Sequence, residues 1–451
     1  MFRSRYTRKV MAKNQTFQAP KGTVDLVGES ARAWEYLCAQ AARVFSRYGY
    51  EPIYTPIFEA TEVFARGIGG ATDVVNKEMY SFRDKSDRSL TLRPENTAGV
   101  VRAAVQGNLC GEAGLAKLYY AGPMFRYERP QKGRQRQFYQ IGAEALGVAS
   151  PEADAEMIIM LREYFRGLGL PEGGLRLLFN SMGCPQCRPA YREQLAAYLR
   201  KHHAELCDDC CARAETNPLR AFDCKNPQCV EVMEQAPKLA DALCDECVEH
   251  RDRVVALLDG AGVAYQPDPT LVRGLDYYTR TVFEFQVTNG LGAQNALGGG
   301  GRYDGLFEQL GGKPTPGIGF ALGFERVVLA LEAAGVALPV VASPAAYVAA
   351  TEDALRPAAF TLCGELRAAG LASLCDLQNK SLKAQFKAAD RAGAPVVLVL
   401  GPEELAAGQV RLRDMQSHEE LLLERRVAVG LLLERAGERG NNSWSWTGNN
   451  L

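Results

Sequence analysis

The 451-residue sequence lacks several features that would restrict its class. It has no apolar run long enough to span a membrane, and its basic start, Met1 to Asn14, has no apolar core of the kind that a secretion signal needs. It also lacks a strong net charge, since the formal value is -1 at pH 7. We therefore expect a cytoplasmic protein that does not enter a membrane. Any nucleic acid would have to be held by local basic patches.

No repeat at a fixed period is visible, and the chain is too long for one hydrophobic core, because single cores rarely exceed roughly 250 to 300 residues. Several domains are therefore expected. Changes in pattern divide the chain into an N-terminal extension (1–14), a region of helices and strands (15–183), a cysteine-rich helical insertion (184–260), a continuation of the first region (261–338), a C-terminal α/β domain (345–430) and a tail (436–451). We expect the extension and the tail to be disordered.

The spacing of apolar residues predicts a core-facing helix with Ser30 as its N-cap and Gly49 as its stop. A second helix is predicted from Ser150 and Pro151 towards Gly167, because serine is a frequent cap and proline fits the first turn. Short β-like runs between residues 90 and 144 predict a largely antiparallel sheet. Further elements are predicted as strands at 281–287, 318–322, 347–350 and 395–400 and as helices from Glu325 and over 354–369.

Cysteine is unevenly distributed, because nine of the 13 cysteines lie between Cys184 and Cys247. Eight of these form close pairs with the spacing of zinc ligands: Cys184 with Cys187, Cys207 with Cys210, Cys224 with Cys229, and Cys244 with Cys247. The clustering favours structural zinc over disulfides, and the first candidate ligands are Cys184, Cys187, Cys207 and Cys210. Free buried thiols are the alternative, and spacing does not fix which four thiols would share an ion.

The segment with the clearest chemistry is a basic hairpin from Gly122 to Glu144, which has the form strand, basic loop, strand. Alternate side chains of a strand share a face, so Arg126 lies with Glu128. On the returning strand, one face collects Phe138, Gln140 and Glu144. The loop concentrates positive charge in Arg126, Arg129, Lys132, Arg134 and Arg136. Such a loop suits a phosphate-rich partner, although a solvated basic hairpin is equally compatible with this segment alone.

Parts of this hairpin, Phe125–Glu128 and Arg134–Phe138, resemble motif 2 of the class II aminoacyl-tRNA synthetases. Gly317–Arg326 is similar to motif 3 of that class. The helix that ends at Tyr48, with the following strand to Pro56, resembles motif 1, the dimer-forming element. Three separated matches in the right order favour a synthetase over a solvated hairpin.

Three further segments point to histidine. Leu271–Thr279 and Gly299–Gly305 resemble the two signature peptides of histidyl-tRNA synthetases, and Leu90–Thr97 fits the same family. The chain is therefore identified as a member of the bacterial type of this family. The resemblance implies an α+β fold: an antiparallel class II synthetase sheet flanked by helices, with a helical cysteine-rich insertion and a C-terminal α/β anticodon-binding domain. It also implies a homodimer that uses ATP and Mg²⁺ to convert L-histidine to histidyl-adenylate and pyrophosphate, and then transfers the histidyl group to the 3' end of tRNA(His).

The resemblance further implies roles for individual residues. The catalytic guanidinium groups would be Arg126 on the α-phosphate, Arg326 on the γ-phosphate, and Arg273 between carboxylate and α-phosphate. Their planar forks suit these anions better than a lysine point charge would. ATP would also contact Glu128 and Phe138, whose ring would stack on adenine. Histidine would be held by Glu95, Asn96, Thr97, Gln140, Glu144, Arg273, Tyr277 and Tyr278. Transfer RNA would contact Gln131 and Arg136 near its acceptor end, and Lys383 and Lys387 in the C-terminal domain.

Two other functions compete with this interpretation. The regulatory subunit of ATP phosphoribosyltransferase resembles the catalytic core, but it lacks the C-terminal domain and tends to lose signature residues. Arg126, Arg273, Arg326 and residues 345–425 argue against it here. A tRNA-binding module without catalysis is a weaker third alternative, so we expect a histidine–tRNA ligase.

Overall fold

A computed structural model describes residues 17–69, 72, 74–111, 114–272, 277–288, 295–338 and 344–440. The chain divides into two compact units, Met1–Leu338 and Pro339–Leu451. The predicted N-terminal extension and residues 273–276 of the first signature peptide lie outside the described residues. None of the described helices is both long and apolar enough to cross a membrane.

The first unit is built around a large sheet. Its strands are β1 Glu51–Pro52, β2 Phe58–Ala60, β3 Tyr80–Arg83, β4 Ser89–Leu92, β5 Ala116–Phe125, β6 Gln137–Leu146, β7 Leu175–Ser181, β8 Gln266–Pro267, β9 Thr279–Val287, β10 Ala296–Arg302 and β11 Gly317–Gly323. Eight of them form one sheet in the order β1-β5-β6-β11-β10-β9-β7-β8. Its inner pairs are antiparallel, while β1 and β8 join the two edges in parallel. Strands β2, β4 and β3 form a small antiparallel sheet.

The helices of the first unit pack against the large or the small sheet or form the cysteine-rich insertion. They are α1 Glu29–Arg47, α2 Thr61–Ile68, α3 Thr97–Gly107, α4 Pro151–Gly167, α5 Arg188–Lys201, α6 Asp208–Thr216, α7 Pro227–Glu234, α8 Asp245–Gly260, α9 Leu306–Gln309 and α10 Phe324–Ala333, with a short π-helix at Val74–Glu78. Strand alternation decides which face they cover. Ile141 and Ala143 of β6 pack with Phe45 of α1 and Leu161 of α4 in the main core. The alternate β6 residues Phe138, Gln140 and Glu144 point to the opposite face, which leaves that face available for a site.

The predicted N-cap at Ser30 is wrong, because the helix begins earlier in the chain. Helix α1 begins at Glu29, and its N-cap is Gly28, whose φ of 57° is a left-handed conformation that glycine adopts readily. The Ser30 hydroxyl bonds back to the backbone of Val27, at 3.0 Å from both N and O, so it does not cap the helix. The predicted stop at Gly49 is confirmed, since α1 ends at Arg47 and Gly49 has φ 78°.

The cysteine-rich insertion is helical, as predicted. Helices α5, α6 and α7 enclose a small core of their own that includes Tyr191, Leu195 and Met233. The last helix, α8, is shared, because its Val254 and Leu258 pack into the main core of the first unit. The insertion therefore merges with the catalytic region before residue 260.

The second unit has strands β12 Ala346–Ala350, β13 Ser373–Cys375, β14 Val396–Leu400, β15 Gln409–Asp414 and β16 Glu420–Glu424, and helices α11 Arg356–Ala368, α12 Leu382–Arg391, α13 Pro402–Ala406 and α14 Arg425–Gly440. The sheet order is β13-β12-β14-β15-β16, with β13, β12 and β14 parallel. Helix α14 overlaps the start of the tail predicted as disordered, and residues 441–451 lie outside the described part of the chain. Together the two units confirm the predicted α+β class.

Candidate active site

One cavity opens on the face of the large sheet that does not pack against α1 and α4. Strands β6, β10 and β11 form its floor, and the start of α10 contributes to its wall. The sequence-assigned residues that line it are Glu95, Thr97, Arg126, Glu128, Phe138, Gln140, Tyr277, Tyr278 and Arg326. Side chains from distant parts of the sequence therefore converge on one place.

At one end of the cavity, the Glu95 carboxylate accepts hydrogen bonds from the first backbone N–H groups of α3. The donors are Thr97 N at 2.6 Å and Ala98 N at 3.0 Å, which have no partner within their own helix. Burial raises the pKa of Glu95 above its ordinary value, while these donors and Arg126 act in the opposite direction. The Glu95 carboxylate is thus a hydrogen-bond acceptor on the cavity wall that has little contact with solvent.

Glu144 lies on β6, fully buried beneath the same end. Its Oε1 accepts a hydrogen bond from Thr97 Oγ1 at 2.7 Å, and its Oε2 accepts one from the Tyr303 hydroxyl. Gly319 faces it on β11, where a Cβ would lie 1.6 Å from Oε2, so no larger residue fits. Burial raises the pKa of Glu144 to about 8, Glu95 adds to this rise, and the hydroxyl donors oppose it.

The sequence assigned Glu144 to direct contact with the amino acid, but the structure places it one layer behind the wall. Thr97 and Tyr303 line the cavity, and their hydroxyl groups donate hydrogen bonds to Glu144. Each hydroxyl that donates its proton to Glu144 presents its remaining oxygen lone pairs as acceptors. Glu144 therefore sets the polarity of this end without facing the cavity itself.

Gln140 and two tyrosines complete this end. Gln140 Oε1 is buried and has no hydrogen-bond partner among the described residues. The rings of Tyr277 and Tyr278 lie 4.7 Å apart, and Tyr277 packs edge-on against Tyr303 at 5.5 Å. An unpaired buried carbonyl is costly, so its presence on a cavity wall indicates a ligand with N–H donors.

The other end of the cavity is cationic. Arg126 donates from Nε to Pro94 O at 2.9 Å, and its guanidinium lies 5.3 Å from the centre of the Phe138 ring. Arg326, in the first turn of α10, donates to Ala296 O at 3.0 Å. Burial lowers the pKa of Arg326, the charges of Arg134 and Arg126 lower it further, and the carboxylates of Glu128 and Glu284 oppose this.

Within the described part of the chain, neither Arg126 nor Arg326 forms an ion pair with a carboxylate. Both guanidinium groups use a backbone carbonyl and keep further N–H donors. The neighbouring Arg134 differs, since it pairs with Glu128 at 3.1 Å. Carboxylates of Glu128 and Glu284 also line this part of the cavity, but both guanidinium groups keep N–H donors that suit an anionic ligand.

The remaining sequence-assigned residues lie elsewhere. The Asn96 side chain does not line the cavity: its Oδ1 accepts from Thr55 Oγ1 at 2.6 Å in a buried network, so its assignment to histidine is not supported by contact. Arg273 lies outside the described residues. Gln131 and Arg136 belong to the hairpin loop outside the cavity, where Arg136 lies 3.9 Å over the Tyr127 ring. Lys383 and Lys387 are exposed on α12 of the second unit.

Sequence reasoning missed Tyr303, Glu284 and Glu325, which all line the cavity. Tyr303 falls inside the quoted signature Gly299–Gly305, yet its bond to Glu144 needed the structure. Glu325 directly precedes Arg326, lines the cavity and accepts from Tyr139 N at 3.0 Å. Burial raises the pKa of Glu325 to about 7, which the backbone donors and Arg326 oppose. The motif 3 resemblance could have identified Glu325, because it is part of that motif.

The sequence and fold also match known proteins. Residues 22–327 match the family described as Histidyl-tRNA synthetase, and residues 341–435 match the one described as Anticodon binding domain. A histidine–tRNA ligase of Desulfitobacterium hafniense (strain DSM 10664 / DCB-2) is 48% identical over 424 residues, covering 94% of this chain and 99% of that protein. The histidine–tRNA ligase of Moorella thermoacetica is 51% identical over 407 residues, covering 90% and 95%.

Solved structures agree with this relationship. The apo histidyl-tRNA synthetase of S. aureus superposes with a TM-score of 0.79 at 37% identity, covering 92% of this chain and all of that one. A Bacillus halodurans structure described as an ATP phosphoribosyltransferase regulatory subunit/histidyl-tRNA synthetase has a TM-score of 0.60 at 22% identity, which shows a shared fold alone.

The alternative of a regulatory subunit is therefore not favoured, because the relatives that match at high identity over almost the whole chain are histidine–tRNA ligases. The second unit, which that alternative would lack, is present and matches an anticodon-binding domain. The predicted family and enzyme class are thus confirmed, and the chain belongs to the histidyl-tRNA synthetase family of aminoacyl-tRNA ligases.

Proposed function

We propose that the cavity of the first unit is where histidine and ATP react to form histidyl-adenylate. The observation that carries this proposal is the division of one cavity into an acceptor-rich end and a cationic end. Glu95, Thr97, Tyr303 and Gln140 supply acceptors at the first end, and Arg126 and Arg326 supply donors with positive charge at the second. An amino acid next to a triphosphate has the complementary pattern.

The amino acid binds at the acceptor end. Its α-ammonium group has three N–H donors and a positive charge, which Glu95 and the Thr97 hydroxyl oxygen can receive. The imidazole has one donor and one acceptor, and Gln140 together with a tyrosine hydroxyl can form hydrogen bonds to both. Apolar side chains of similar size would leave Gln140 Oε1 and the hydroxyls unpaired, so they are rejected.

ATP binds at the cationic end. Phe138 stacks on adenine beside Arg126, which contacts the α-phosphate, and Arg326 contacts the γ-phosphate. These contacts align the histidine carboxylate for in-line attack on the α-phosphate and stabilise the charge that develops there. Arg273 clamps the carboxylate and α-phosphate from the other side; this role rests on the signature peptide. Mg²⁺ accompanies the triphosphate, and Glu128 and Glu284 offer carboxylate oxygens on the cavity wall.

The second step transfers histidine to tRNA(His). Gln131 and Arg136, on the hairpin loop, contact the acceptor end, and exposed Lys383 and Lys387 contact backbone phosphates from the second unit. The active form is a homodimer assembled through the α1 and β1 element that resembles motif 1. These assignments extend the proposed chemistry to the complete reaction in the cytoplasm.

Histidine-dependent exchange between ATP and radiolabelled pyrophosphate tests the proposal, because it reports adenylate formation without tRNA. We expect exchange with L-histidine and none with leucine or phenylalanine at the same concentration. Aminoacylation of tRNA(His) should follow in the same preparation. Absence of exchange with correctly folded protein, or exchange that does not depend on histidine, would contradict the proposal.

A further inference from the structure

Eight cysteines of the first unit lie in two compact groups that the adenylate chemistry does not use. The junction cluster consists of Cys184, Cys187, Cys244 and Cys247, and the outer cluster consists of Cys207, Cys210, Cys224 and Cys229. Within each cluster all four Sγ atoms lie within 4.8 Å of one another. The four candidates named from sequence therefore do not share one group, since Cys184 and Cys187 belong to one cluster and Cys207 and Cys210 to the other.

The sulfur separations match tetrahedral thiolate coordination. In the junction cluster, Cys184 Sγ lies 3.7 Å from both Cys187 Sγ and Cys244 Sγ, and Cys187 Sγ lies 3.8 Å from Cys247 Sγ. In the outer cluster, Cys207 and Cys224 are 3.9 Å apart. A zinc ion with Zn–S bonds of about 2.3 Å requires tetrahedron edges of about 3.8 Å. A disulfide would require about 2.05 Å, so these thiols are not in disulfide geometry.

The backbone around the thiols supports this arrangement. Cys184 N donates to Cys187 Sγ at 3.1 Å, and Cys207 N donates to Cys229 Sγ at 3.2 Å. Such N–H donors orient thiolate ligands and disperse their charge. Gly183, at φ 63°, lies so near the junction cluster that a Cβ there would be 2.8 Å from Cys187 Sγ. Both clusters are therefore shaped around four converging sulfurs.

The two clusters differ in what they hold together. The outer cluster joins α6, α7 and the segment between them, all within the insertion. The junction cluster joins the end of β7 to the first turn of α8, the two places where the insertion leaves and rejoins the catalytic region. Only the junction cluster therefore lies beside the sheet that carries the cavity.

The junction cluster is also bonded to the tyrosine segment of the cavity. Arg188, which follows Cys187, donates from its guanidinium to Tyr278 O at 2.8 Å. Arg280 N donates to Gly183 O at 2.8 Å, although Arg280 has an unusual positive φ of 49°. On the α8 side, the Arg280 guanidinium lies 3.4 Å from Glu246 Oε2. The backbone at 278–280 is thus held between both halves of the cluster.

We propose that each cluster binds one structural Zn²⁺, and that the junction zinc positions Tyr277 and Tyr278 for histidine binding. The second part rests on the proposed function of the cavity, while the first does not. The junction cysteines are positioning residues, because they act through Arg188 and the Gly183 backbone. The outer zinc stabilises the insertion alone.

Elemental analysis of the full-length enzyme, purified without chelator, tests the metal sites directly. We expect two zinc ions per chain, one in Cys244→Ser and one in Cys224→Ser. Both changes affect half-buried ligands. Cys211→Ser is the matched control, because Cys211 lies in the same insertion outside both clusters, 3.6 Å from His203 O, and should keep two ions. Less than one zinc per wild-type chain, or two in both ligand variants, would overturn the metal assignment.

The kinetic test separates positioning from general stability. In pyrophosphate exchange, Cys244→Ser should raise KM for histidine about tenfold, a size typical of lost metal-site support, with KM for ATP nearly unchanged. Cys224→Ser should leave both KM values unchanged. Equal changes in the two variants, or a parallel rise of both KM values in Cys244→Ser, would refute the positioning role. If wild type shows no exchange, the cavity proposal fails while the zinc count stands.

A measurement on the wild-type enzyme tests the metal sites even if the cysteine variants do not fold. A mercurial thiol reagent, added in steps with a zinc indicator present, should release two ions in proportion to thiols modified. Excess histidine should slow release of one of them, because the junction site is linked to the histidine pocket. Release that begins only after the cavity has unfolded, or thiol modification without zinc release, would contradict the proposal.

Discussion

The two units differ in where their polar side chains lie relative to the sheet. In the first unit, β6 carries Gln140 and Glu144 on the cavity side, and Glu144 is fully buried. In the second unit, β14 is an unbroken apolar strand, Val396–Leu400, with every residue buried. Its basic groups Lys383 and Lys387 lie outside, on α12. One sheet carries polar groups at the proposed binding site, and the other supports an exposed basic helix.

This difference predicts how large the effect of each substitution should be. Charges and hydrogen bonds with little solvent contact are strong, and leaving one partner unpaired is costly. Exposed charges are screened by water and salt, and a single contact contributes roughly 1 kcal/mol or less. We therefore expect effects to fall steeply from the cationic end of the cavity to the surface of α12.

Arg126→Ala should have the largest effect. The guanidinium is the donor proposed to face the charge that develops on the α-phosphate, so its loss should lower kcat for pyrophosphate exchange by about 10²- to 10³-fold. Stability should change little, because its described hydrogen bond is to a single backbone carbonyl, Pro94 O. Arg162→Ala, which removes a surface ion pair with Glu172, is the control and should keep full exchange. Similar losses of exchange activity in both variants would contradict the expected difference between the cavity and the surface.

Glu144→Gln should come next, with opposite effects on activity and stability. The amide places an NH₂ group where the carboxyl group has its second oxygen, which disturbs the hydrogen bonds to Thr97 and Tyr303, so KM for histidine should rise roughly 10- to 100-fold, corresponding to about 1.5–3 kcal/mol. The pKa of Glu144 is raised from 4.5 in the unfolded chain to about 8, so wild type holds the extra proton in its folded state. Its stabilising effect is complete below pH 4.5 and is lost as pH rises through 8.

Thermal unfolding of wild type and Glu144→Gln at pH 6 and pH 9 measures this second effect. Glutamine cannot ionise, so the variant should gain melting temperature relative to wild type as pH rises. If the melting temperature of the variant minus that of wild type is the same at both pH values, Glu144 is already ionised in the folded enzyme at pH 6.

Gln140→Leu should have an intermediate effect. Its Oε1 has no described partner, so leucine removes an unsatisfied buried acceptor and should stabilise the free enzyme by about 1 kcal/mol. The same change should raise KM for histidine about tenfold, because one acceptor for the ligand is lost. Gln40→Leu is the control, since Gln40 Oε1 on α1 is also buried and unpaired but lies outside the cavity. It should stabilise without changing KM.

How far the sequence could predict the structure depends on the range of each interaction. Helix α4 was predicted correctly from Ser150 and Pro151 to Gly167, because cap, first turn and apolar spacing are all local. Strand alternation placed Phe138 and Gln140 on one face, and both line the cavity. The site could therefore be located from local patterns combined with three family motifs.

Long-range relations could not be read in this way. The family resemblance assigned Asn96 to the ligand, yet the turn before α3 directs its side chain to Thr55 instead. Glu144 was expected in the cavity wall, but the close approach of Gly319 and the hydroxyl of Tyr303 bury it. The pairing of Cys184 with Cys244 depends on where β7 ends relative to α8, which spacing along the chain does not encode.

The smallest effect should come from the surface of α12. Both lysines are exposed and follow the helix start at Leu382, whereas Lys380 precedes the helix and donates its backbone N–H to Asp376. Lys383→Ala combined with Lys387→Ala should raise KM for tRNA a few-fold and reduce the dependence of log KM on log salt by about one per lysine.

Pyrophosphate exchange without tRNA should not change in this double variant, because the cavity lies in the other unit. Arg426→Ala, an exposed basic residue on α14, is the matched control and should leave both reactions unchanged. Loss of exchange in the lysine variant would mean that the second unit contributes to the chemistry itself. An unchanged KM for tRNA at low salt would instead place the tRNA backbone on another surface.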